Sequence, residues 1–265
     1  MKTKLSQNFL VNRIIAEKIV EAVEPQTGDK IIEIGPGKGA LTDLLIEKPI
    51  DIIALEKDFG IVENLKKVYK NRKNIKVVNR DALIFNSVDL AKFSKFDYKL
   101  VSNLPYAVTS PIINKYFVTG EIEKPKMAIL MVQKEVAERL ASKAGEKNRG
   151  ILSVFLQYYY KIEILFEVTK ENFQPVPQVD SAVIKLNKIK ITVPLEIGMM
   201  HLIKAGFSQK RRKLINSLSP ILNLNKTDLS DIMEKSQIKE GCRAEDLTVL
   251  DWQNLYTNFK DKFIH

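Results

Sequence analysis

The chain has 265 residues, 45% of them hydrophobic and 28% charged, which is typical of one large folded domain or a large and a small one and excludes wholesale disorder. We expect no disulfide and no metal site, since the chain has one cysteine and two histidines. We expect a cytoplasmic protein, since it has no secretory signal core and no apolar run near the roughly 20 residues of a membrane helix. The formal net charge of +10 predicts a polyanionic partner, with nucleic acid favoured over a membrane surface.

Short β-rich runs alternate with amphipathic helical stretches from Lys30 to about Leu186, which predicts a layered α/β sheet. The predicted strands are Lys30–Ile34, Ile50–Leu55, Ile75–Val78, Lys99–Ser102, Lys126–Val132, Tyr158–Val168 and Ala182–Leu186. The predicted helices between them are Leu41–Ile46, Ile61–Tyr69, Pro111–Phe117 and Lys134–Ala141. The proline-bearing segment Phe173–Pro177 between the last two strands is too short for a crossover helix, so we expect these strands to pair antiparallel at one edge of an otherwise parallel sheet.

The pattern changes near Lys190, where β-branched runs stop and helical patterns begin. The predicted helices of this part are Leu195–Leu218, Lys226–Lys235 and Asp246–Phe259. We therefore expect two domains, a seven-stranded α/β domain over residues 1–190 and a small helical domain over residues 191–265.

A glycine-rich turn with Gly35, Gly37 and Gly39 follows the first long strand and precedes a helix. Glycines there permit backbone conformations closed to other residues and let a ligand approach the main chain. The Gly-x-Gly-x-Gly spacing differs from the Gly-x-Gly-x-x-Gly of pyrophosphate sites, and no Lys-Ser or Lys-Thr ending follows as in a P-loop. The turn therefore favours a ligand without phosphates.

Two acids follow the next two strands, Glu56 after the second strand and Asp81 after the third. The first can accept hydrogen bonds from both ribose hydroxyls, and the second can accept one from an adenine amine. The alternative is that either acid only caps a helix. Together with the glycine turn they predict a nucleoside cofactor without phosphates, of which S-adenosylmethionine is the common one.

The run Asn103-Leu104-Pro105-Tyr106 follows the fourth strand, at the sheet edge where ligands bind in open α/β folds. The Asn103 amide oxygen and the Leu104 carbonyl can accept both hydrogens of an exocyclic amine and turn its lone pair toward a methyl donor. Pro105 fixes the turn without a competing N–H, and the Tyr106 ring offers a surface on which a flipped base stacks. No strong base is needed, because the product ammonium loses its proton to water.

Basic residues are concentrated in two places. One cluster lies between Lys66 and Arg80 with no acid among its members, a pattern that also fits a solvated face. The other, Lys210–Lys213, lies within the predicted helix Leu195–Leu218, where four neighbouring cations repel each other and a bound phosphate backbone would relieve the repulsion. We therefore predict that a nucleic acid backbone binds Lys210, Arg211, Arg212 and Lys213.

Nearly the whole chain resembles the small-subunit ribosomal RNA adenine dimethyltransferases, the bacterial family whose loss gives kasugamycin resistance. The segments that carry the resemblance are Gln7–Leu10, Glu33–Thr42, Asn103–Tyr106, Phe173–Val183 and Phe207–Leu214. It implies a Rossmann-like seven-stranded methyltransferase sheet with a small C-terminal helical domain. Such enzymes transfer two methyl groups from S-adenosylmethionine to N6 of each of two adjacent adenosines in the 3′-terminal hairpin loop of small-subunit (16S) rRNA.

The resemblance also implies roles for individual residues. The implied cofactor-binding residues are Asn8, Leu10, Gly35, Gly37, Gly39, Glu56, Asp81 and Asn103, and the implied catalytic residues are Asn103, Leu104, Pro105 and Tyr106. Phe173 would stack on the face of the target adenine opposite Tyr106, and Lys210–Lys213 would hold rRNA in the immature small subunit. We expect a monomer with no membrane partner. Two departures from the family pattern, Ser6 and Arg149, fall on none of these positions.

Three other interpretations stay open. The sister family that methylates large-subunit rRNA and confers macrolide resistance shares the catalytic motif but more often has isoleucine at the position of Leu104, and Arg243–Leu250 resembles the small-subunit group. A non-catalytic rRNA-binding assembly factor on the same fold would not need an intact Asn103–Tyr106 motif. A dinucleotide oxidoreductase is disfavoured by the glycine spacing and by the missing catalytic histidine or Tyr-x-x-x-Lys motif.

Overall fold

The strands form a seven-stranded sheet and a two-stranded ribbon. The structure is a computed structural model, and it describes residues 8–91, 97–191 and 195–263, with side chains as far as Lys260. The strands in chain order are β1 (Phe9–Leu10), β2 (Lys30–Ile34), β3 (Asp51–Glu56), β4 (Ile75–Asn79), β5 (Lys99–Asn103), β6 (Met127–Gln133), β7 (Tyr160–Val168), β8 (Phe173–Gln174) and β9 (Ser181–Lys188). The large sheet has the order β4-β3-β2-β5-β6-β9-β7, and β9 runs antiparallel to β6 and β7. The predicted seven-stranded α/β sheet with its antiparallel edge is confirmed.

The helices connect these strands and make up most of the C-terminal part. In chain order they are α1 (Arg13–Ala22), α2 (Thr42–Leu45), α3 (Phe59–Val68), α4 (Ser87–Ala91), α5 (Thr109–Ile113), α6 (Lys134–Ala141), α7 (Ile151–Tyr159), α8 (Ile197–Gly206), α9 (Leu214–Leu222), α10 (Lys226–Lys235) and α11 (Val249–Phe263). A 3-10 turn (Tyr106–Val108) precedes α5, and a π-helical turn (Asn114–Val118) continues it. Within the described ranges, no helix is long and apolar enough to cross a membrane.

The central strands of the sheet are buried almost from end to end, as apolar parallel strands covered by helices on both faces should be. Strand β7, at the edge, is only partly buried along most of its length. Strands β2, β3 and β5 are parallel neighbours, so their carboxyl ends meet at the same edge of the sheet. That edge carries the glycine turn, Glu56 and Asn103.

The connection between α8 and α9 differs from the predicted single helix over Leu195–Leu218. Helix α8 ends at Gly206, where a Cβ atom would lie 2.4 Å from the Trp252 ring. Arg211 then has a φ of +68°, a left-handed conformation that a regular α-helix cannot contain. The prediction that Lys210–Lys213 lies inside a helix was therefore wrong, because all four residues lie in the connection.

Strand β7 begins at Tyr160, two residues later than predicted, because α7 runs directly into it. Tyr158 and Tyr159 belong to the last turn of α7, and all three tyrosine side chains are buried. The expectation of a strand that starts at Tyr158 was therefore wrong at its first two residues. No turn residue separates the helix from the strand, so the sequence gives no signal for the change.

The chain divides into two compact units. The first contains the residues up to Ala137 together with Tyr160–Ile189, and the second contains Glu138–Tyr159 together with the residues from Lys190 onward. The predicted domain boundary near Lys190 coincides with the start of this last stretch. Glu138–Tyr159 lies before that boundary and nevertheless groups with the C-terminal helices.

Hydrogen bonds hold the two stretches of the second unit together. The Gly145 N–H donates to the Glu245 carbonyl at 2.9 Å, and the Leu195 N–H donates to the Tyr159 hydroxyl at 3.3 Å. In the same unit the Trp252 side chain of α11 is fully buried. The second unit therefore has its own core and its own cross-links between distant parts of the chain.

A buried charge cluster lies at the amino end of β5 in the first unit. The Lys99 ammonium donates to the carbonyls of Val23 (2.9 Å) and Glu24 (2.6 Å) and forms an ion pair with Asp29 at 2.7 Å. Lys126 approaches the other Asp29 oxygen at 3.0 Å. Burial alone would raise the pKa of Asp29, but the hydrogen bonds from Lys99 and the surrounding groups hold it below its usual range. The cluster fixes the end of α1 to the sheet.

Candidate cofactor and substrate site

A pocket opens at the carboxyl ends of β2, β3 and β5 in the first unit. The predicted site residues that line it are Asn8, Leu10, Gly35, Gly37, Glu56, Asp81, Asn103, Leu104, Pro105 and Tyr106. Two predicted site residues, Gly39 and Phe173, are not among the lining residues. The walls are mostly apolar and carry a few carboxylates and amides, which is typical of a site for a small organic ligand.

The glycine turn is held against the end of β3. The Gly35 N–H donates to the Leu55 carbonyl at 2.9 Å, and the Gly37 N–H lies 3.4 Å from a Glu56 carboxylate oxygen. Gly37 has a φ of +56°, and a Cβ atom there would lie 3.0 Å from the Phe9 ring. Both the backbone conformation and the close ring therefore require glycine at this position.

Gly39 lies behind the turn, between two helices. A Cβ atom at Gly39, whose φ is +92°, would lie 2.5 Å from the Tyr69 hydroxyl. That hydroxyl donates to Asp43 of α2 at 2.6 Å. The structure thus gives Gly39 a packing role, and its contact with a cofactor stays a prediction.

Glu56 lies at the end of β3 and is buried, although it lines the pocket. Its carboxylate accepts a hydrogen bond from the Asp58 N–H at 2.9 Å. Helix α3 is capped by Asp58, whose own side chain accepts from the Ile61 N–H at 3.1 Å. Asp58 therefore caps α3, and the alternative interpretation of Glu56 as a helix cap was wrong.

Asp81 follows β4 and faces the pocket from the neighbouring strand end. One carboxylate oxygen accepts from the Leu83 N–H at 2.9 Å, and the other forms an ion pair with Lys57 at 2.7 Å. Burial alone would raise the pKa of Asp81, but the Lys57 hydrogen bond and the Leu83 N–H hold it below its usual range. Asp81 is thus a charged acceptor at neutral pH.

Glu33, within β2, lines the pocket and was not predicted as a site residue. It is 2% exposed and accepts a hydrogen bond from the Thr42 hydroxyl at 2.7 Å. The pKa of Glu33 is raised to about 7, first by burial and also by the charges of Asp43 and Glu56. The Thr42 hydrogen bond acts in the opposite direction. The signal for it was an acid inside the otherwise apolar strand Lys30–Ile34.

The Asn103 amide has a fixed orientation. Its nitrogen donates to the Asn8 carbonyl at 3.2 Å, so the amide oxygen is the atom left to accept a hydrogen bond from a ligand. The Leu104 N–H donates to the Met131 carbonyl of β6 at 3.0 Å, which holds the next peptide of the motif against the sheet. Pro105 has a φ of −59° and no N–H to compete for the same acceptors.

The Tyr106 ring lines the pocket, and its hydroxyl is anchored outside it. The hydroxyls of Tyr106 and Ser181 share a hydrogen bond of 2.9 Å, and Ser181 at the start of β9 is fully buried. A ring held at its far end in this way offers a fixed apolar face. The sequence predicted the ring and did not identify the serine that holds it.

The ribbon of β1 and β8 carries two aromatic rings, one at the pocket and one in the apolar core. Phe9 lines the pocket over Gly37, with the Lys38 ammonium 4.9 Å from its ring centroid. Phe173 pairs with Leu10 across the ribbon, is 2% exposed and belongs to the apolar core. The sequence named Phe173 as a stacking ring opposite Tyr106 and did not name Phe9, which lines the pocket. The stacking role of Phe173 stays a prediction.

The basic run Lys210–Lys213 belongs to the second unit and is fully solvent-facing. Among the described residues, no acidic side chain forms an ion pair with any of the four. Of the two departures named above, Ser6 lies outside the described residues, as does Gln7 of the first family segment. Arg149 is buried in the second unit and donates to the Gln157 side chain at 2.7 Å.

Comparisons with known proteins identify the family of the chain. The family model for ribosomal RNA adenine dimethylase matches residues 1–261. The ribosomal RNA small subunit methyltransferase A of Fusobacterium nucleatum is 39% identical over 256 residues, which cover 94% of this chain and 93% of the relative. That of Alkaliphilus metalliredigens is 37% identical over 257 residues, which cover 95% and 89%.

Two solved structures are similar over nearly the whole chain. A dimethyladenosine transferase from Plasmodium falciparum superimposes with a TM-score of 0.82 at 27% identity and covers 97% of this chain and 99% of its own. The 23S rRNA methyltransferase ErmE superimposes with a TM-score of 0.73 at 23% identity and covers 95% and 99%. The second likeness shows the fold alone.

Proposed function

The chain belongs to the ribosomal RNA adenine dimethylase family, and on that premise we propose that it transfers methyl groups from S-adenosylmethionine to N6 of two adjacent adenosines in the 3′-terminal hairpin loop of 16S rRNA. The product is N6,N6-dimethyladenosine, and the protein serves maturation of the small ribosomal subunit. The observation that carries this proposal is the Asn103 amide, whose oxygen is left free toward an acid-lined pocket because its nitrogen donates to the Asn8 carbonyl.

The residues of the pocket fit S-adenosylmethionine, which supplies an electrophilic methyl group on a sulfonium sulfur. Glu56 would accept hydrogen bonds from the ribose hydroxyls and Asp81 one from the adenine amine, since Glu56 ends β3 and Asp81 follows the neighbouring parallel strand β4. A Cβ atom at Gly35 would meet no other atom within 4 Å, so the main chain of the turn is open to a ligand there. The other residues assigned to the cofactor are Asn8, Leu10, Gly35 and Gly39.

The catalytic motif orients the target amine. The Asn103 amide oxygen and the Leu104 carbonyl accept the two N6 hydrogens, which localises the lone pair on nitrogen and aims it at the methyl group. Pro105 keeps the turn rigid, and the Tyr106 ring, held by Ser181, stacks on the flipped base. After transfer the ammonium releases its proton to water, so no residue of the chain acts as a strong base.

The remaining assignments concern the RNA. The Lys210–Lys213 run holds the rRNA backbone of the immature small subunit, supported by its exposure and lack of acidic partners among the described residues. Phe173 stacks on the second face of the target base, which requires its ring to leave the core cluster that contains it. The residues up to 190 act as the methyltransferase domain and residues 191–265 as the RNA-binding domain, in a cytoplasmic monomer.

Mass mapping of methylated adenosines tests the proposal. Purified protein and S-adenosylmethionine are incubated with immature small subunits, with naked large-subunit rRNA, or with neither RNA. We expect four added methyl groups, on two neighbouring adenosines of the 3′-terminal loop of the small-subunit RNA. Methylation of large-subunit rRNA instead would identify the sister activity, and rRNA binding without methyl transfer would identify an assembly factor.

A further inference from the structure

The helical segment that follows the catalytic motif contains a π-helical turn. The segment starts at Tyr106 with a 3-10 turn, continues as α5 and ends in Asn114–Val118. The Thr119 N–H donates to the Asn114 carbonyl, five residues back, at 3.0 Å. Such turns are rare inside helices and occur frequently at functional sites.

Two buried side chains of the π turn bind the same short stretch of main chain. The Tyr116 hydroxyl donates to the Ala82 carbonyl at 3.0 Å, and the Lys115 ammonium donates to the Leu83 carbonyl at 2.7 Å. Tyr116 is fully buried and Lys115 is 8% exposed. Two consecutive carbonyls are therefore fixed by two consecutive residues of one helical turn.

The stretch that they hold forms one side of the pocket. Asp81 and Ala82 line it, and this stretch belongs to neither a strand nor a helix. The Leu83 N–H is already used by one Asp81 carboxylate oxygen at 2.9 Å. Without a regular element around it, the stretch depends on the π turn for partners to its Ala82 and Leu83 carbonyls, and a buried carbonyl left without one is unfavourable.

We propose that Tyr116 and Lys115 are positioning residues for the adenine ring of the cofactor. Their bonds to the Ala82 and Leu83 carbonyls fix the conformation in which Asp81 meets the adenine amine, so they act through Asp81. This inference rests on the role of Asp81 in the proposed function. It also means that the target-base motif and the adenine acid are attached to opposite ends of one helical segment.

Tyr116→Phe tests the proposal, because it removes the hydroxyl and keeps the buried ring. The matched control is Tyr98→Phe: Tyr98 is also fully buried, and its hydroxyl also donates to a carbonyl, that of Glu123, at 2.6 Å, but Glu123 does not line the pocket as Ala82 does. Affinity for S-adenosylhomocysteine is measured by calorimetry, together with the thermal midpoint of each variant. We expect about a five- to tenfold weaker affinity for Tyr116→Phe and an unchanged affinity for Tyr98→Phe, with similar losses of thermal stability.

A second ligand separates positioning of Asp81 from a general loosening of the pocket. The ligand is the S-adenosylhomocysteine analogue whose purine lacks the 6-amine, which cannot donate to Asp81. We expect wild type to bind it more weakly than S-adenosylhomocysteine, and Tyr116→Phe to reduce that preference several-fold. An unchanged preference in Tyr116→Phe, or an equal loss of affinity in Tyr98→Phe, would overturn the proposal.

Lys115→Met provides an independent variant of the same interaction. We expect a larger loss of affinity for S-adenosylhomocysteine than in Tyr116→Phe, with the same reduced preference for the 6-amine. Wild-type preference in this variant would contradict the positioning role of Lys115. Because the readout is ligand binding, a wild-type protein that binds S-adenosylhomocysteine but methylates no rRNA would overturn the proposed function alone.

Discussion

The Asn103 amide nitrogen donates to the Asn8 carbonyl, which leaves the amide oxygen as the end that can accept a hydrogen bond from a substrate amine. Asn103→Ala removes the acceptor that aims the amine, and we expect kcat to fall at least about a hundredfold, as when a single oriented group is lost from other active sites. The thermal midpoint should change little, since Asn103 is only partly buried. Methyl transfer from labelled S-adenosylmethionine measures the loss.

A second asparagine serves as the control for this prediction. The Asn74 amide also donates to main-chain carbonyls, those of Ile46 (3.0 Å) and Ile50 (3.2 Å), but it does not line the pocket. Asn74→Ala should lower stability and keep kcat. If Asn103→Ala turns over like wild type, Asn103 has no part in the reaction.

The raised pKa of Glu33 predicts that the free energy of unfolding depends on pH. Its pKa is about 7 in the folded chain against 4.5 for the free side chain, so between these values the folded state binds a proton that the unfolded state has released. The stabilisation is full below pH 4.5 and is lost as the pH rises through 7. By linkage, the loss amounts to about 3 kcal/mol.

Glu33→Gln should remove this dependence. Urea unfolding of wild type and Glu33→Gln at pH 5 and pH 8 should show the variant gaining relative to wild type at the higher pH. The control is Glu63→Gln on the exposed side of α3, which should follow wild type at both values. A pH profile of Glu33→Gln parallel to that of wild type would show that burial does not shift this carboxyl.

Site residues could be predicted where local sequence alone determines the geometry. Glu56 and Asn103 end β3 and β5, Asp81 comes shortly after β4, and the carboxyl ends of parallel strands meet at one edge. Phe9 could not be found this way, because its place over Gly37 depends on a two-stranded ribbon formed with residues far along the chain. Such pairings leave no trace in the local pattern.

The same limit applies to whole elements. Seven strands were predicted because short apolar runs alternate with turns, and the antiparallel pairing of the last two followed from the short connection between them. Helix α7 was missed because six of its nine residues are buried and none is exposed, so it has no polar face to set off an apolar stripe and reveal the helical period. Helix α1 was missed although Asn12 caps it, accepting from the Ile14 N–H at 2.9 Å.

The attachment of α1 to the sheet makes Asp29 a sensitive position. Asp29→Asn leaves the Lys99 ammonium buried without its charge partner, and we expect the free energy of unfolding to fall by about 3 kcal/mol or more. The control is Asp97→Asn, because Asp97 is 69% exposed in its pair with Lys126 and should contribute less than about 1 kcal/mol. Equal urea midpoints for the two variants would show that the buried pair adds nothing.

At the scale of the whole molecule, the exposed basic run should determine how binding responds to salt. Changing Lys210, Arg211, Arg212 and Lys213 to glutamine should weaken rRNA binding. The slope of log affinity against log salt should become shallower by about 0.7–0.9 for each phosphate that the variant no longer neutralises. Filter binding at several salt concentrations measures both the affinity and the slope.

The matched control removes the same charge from the other cluster. It changes four exposed lysines of the first unit to glutamine: Lys66, Lys67, Lys70 and Lys73. We expect a smaller change in slope for this variant. Equal slopes in the two variants would mean that the protein attracts RNA by net charge and that Lys210–Lys213 binds no particular phosphates.

The interleaving of the two units matters while the chain is being made. Helix α7 leaves the translating ribosome before α8 and α11, which pack against it, have been synthesised. Since α7 lies between β6 and β7 in the chain, its apolar surface stays uncovered until the later helices have been synthesised. A chain truncated within its final helices would contain α7 without the helices that cover its apolar surface. We expect chaperones and proteases to act on such products.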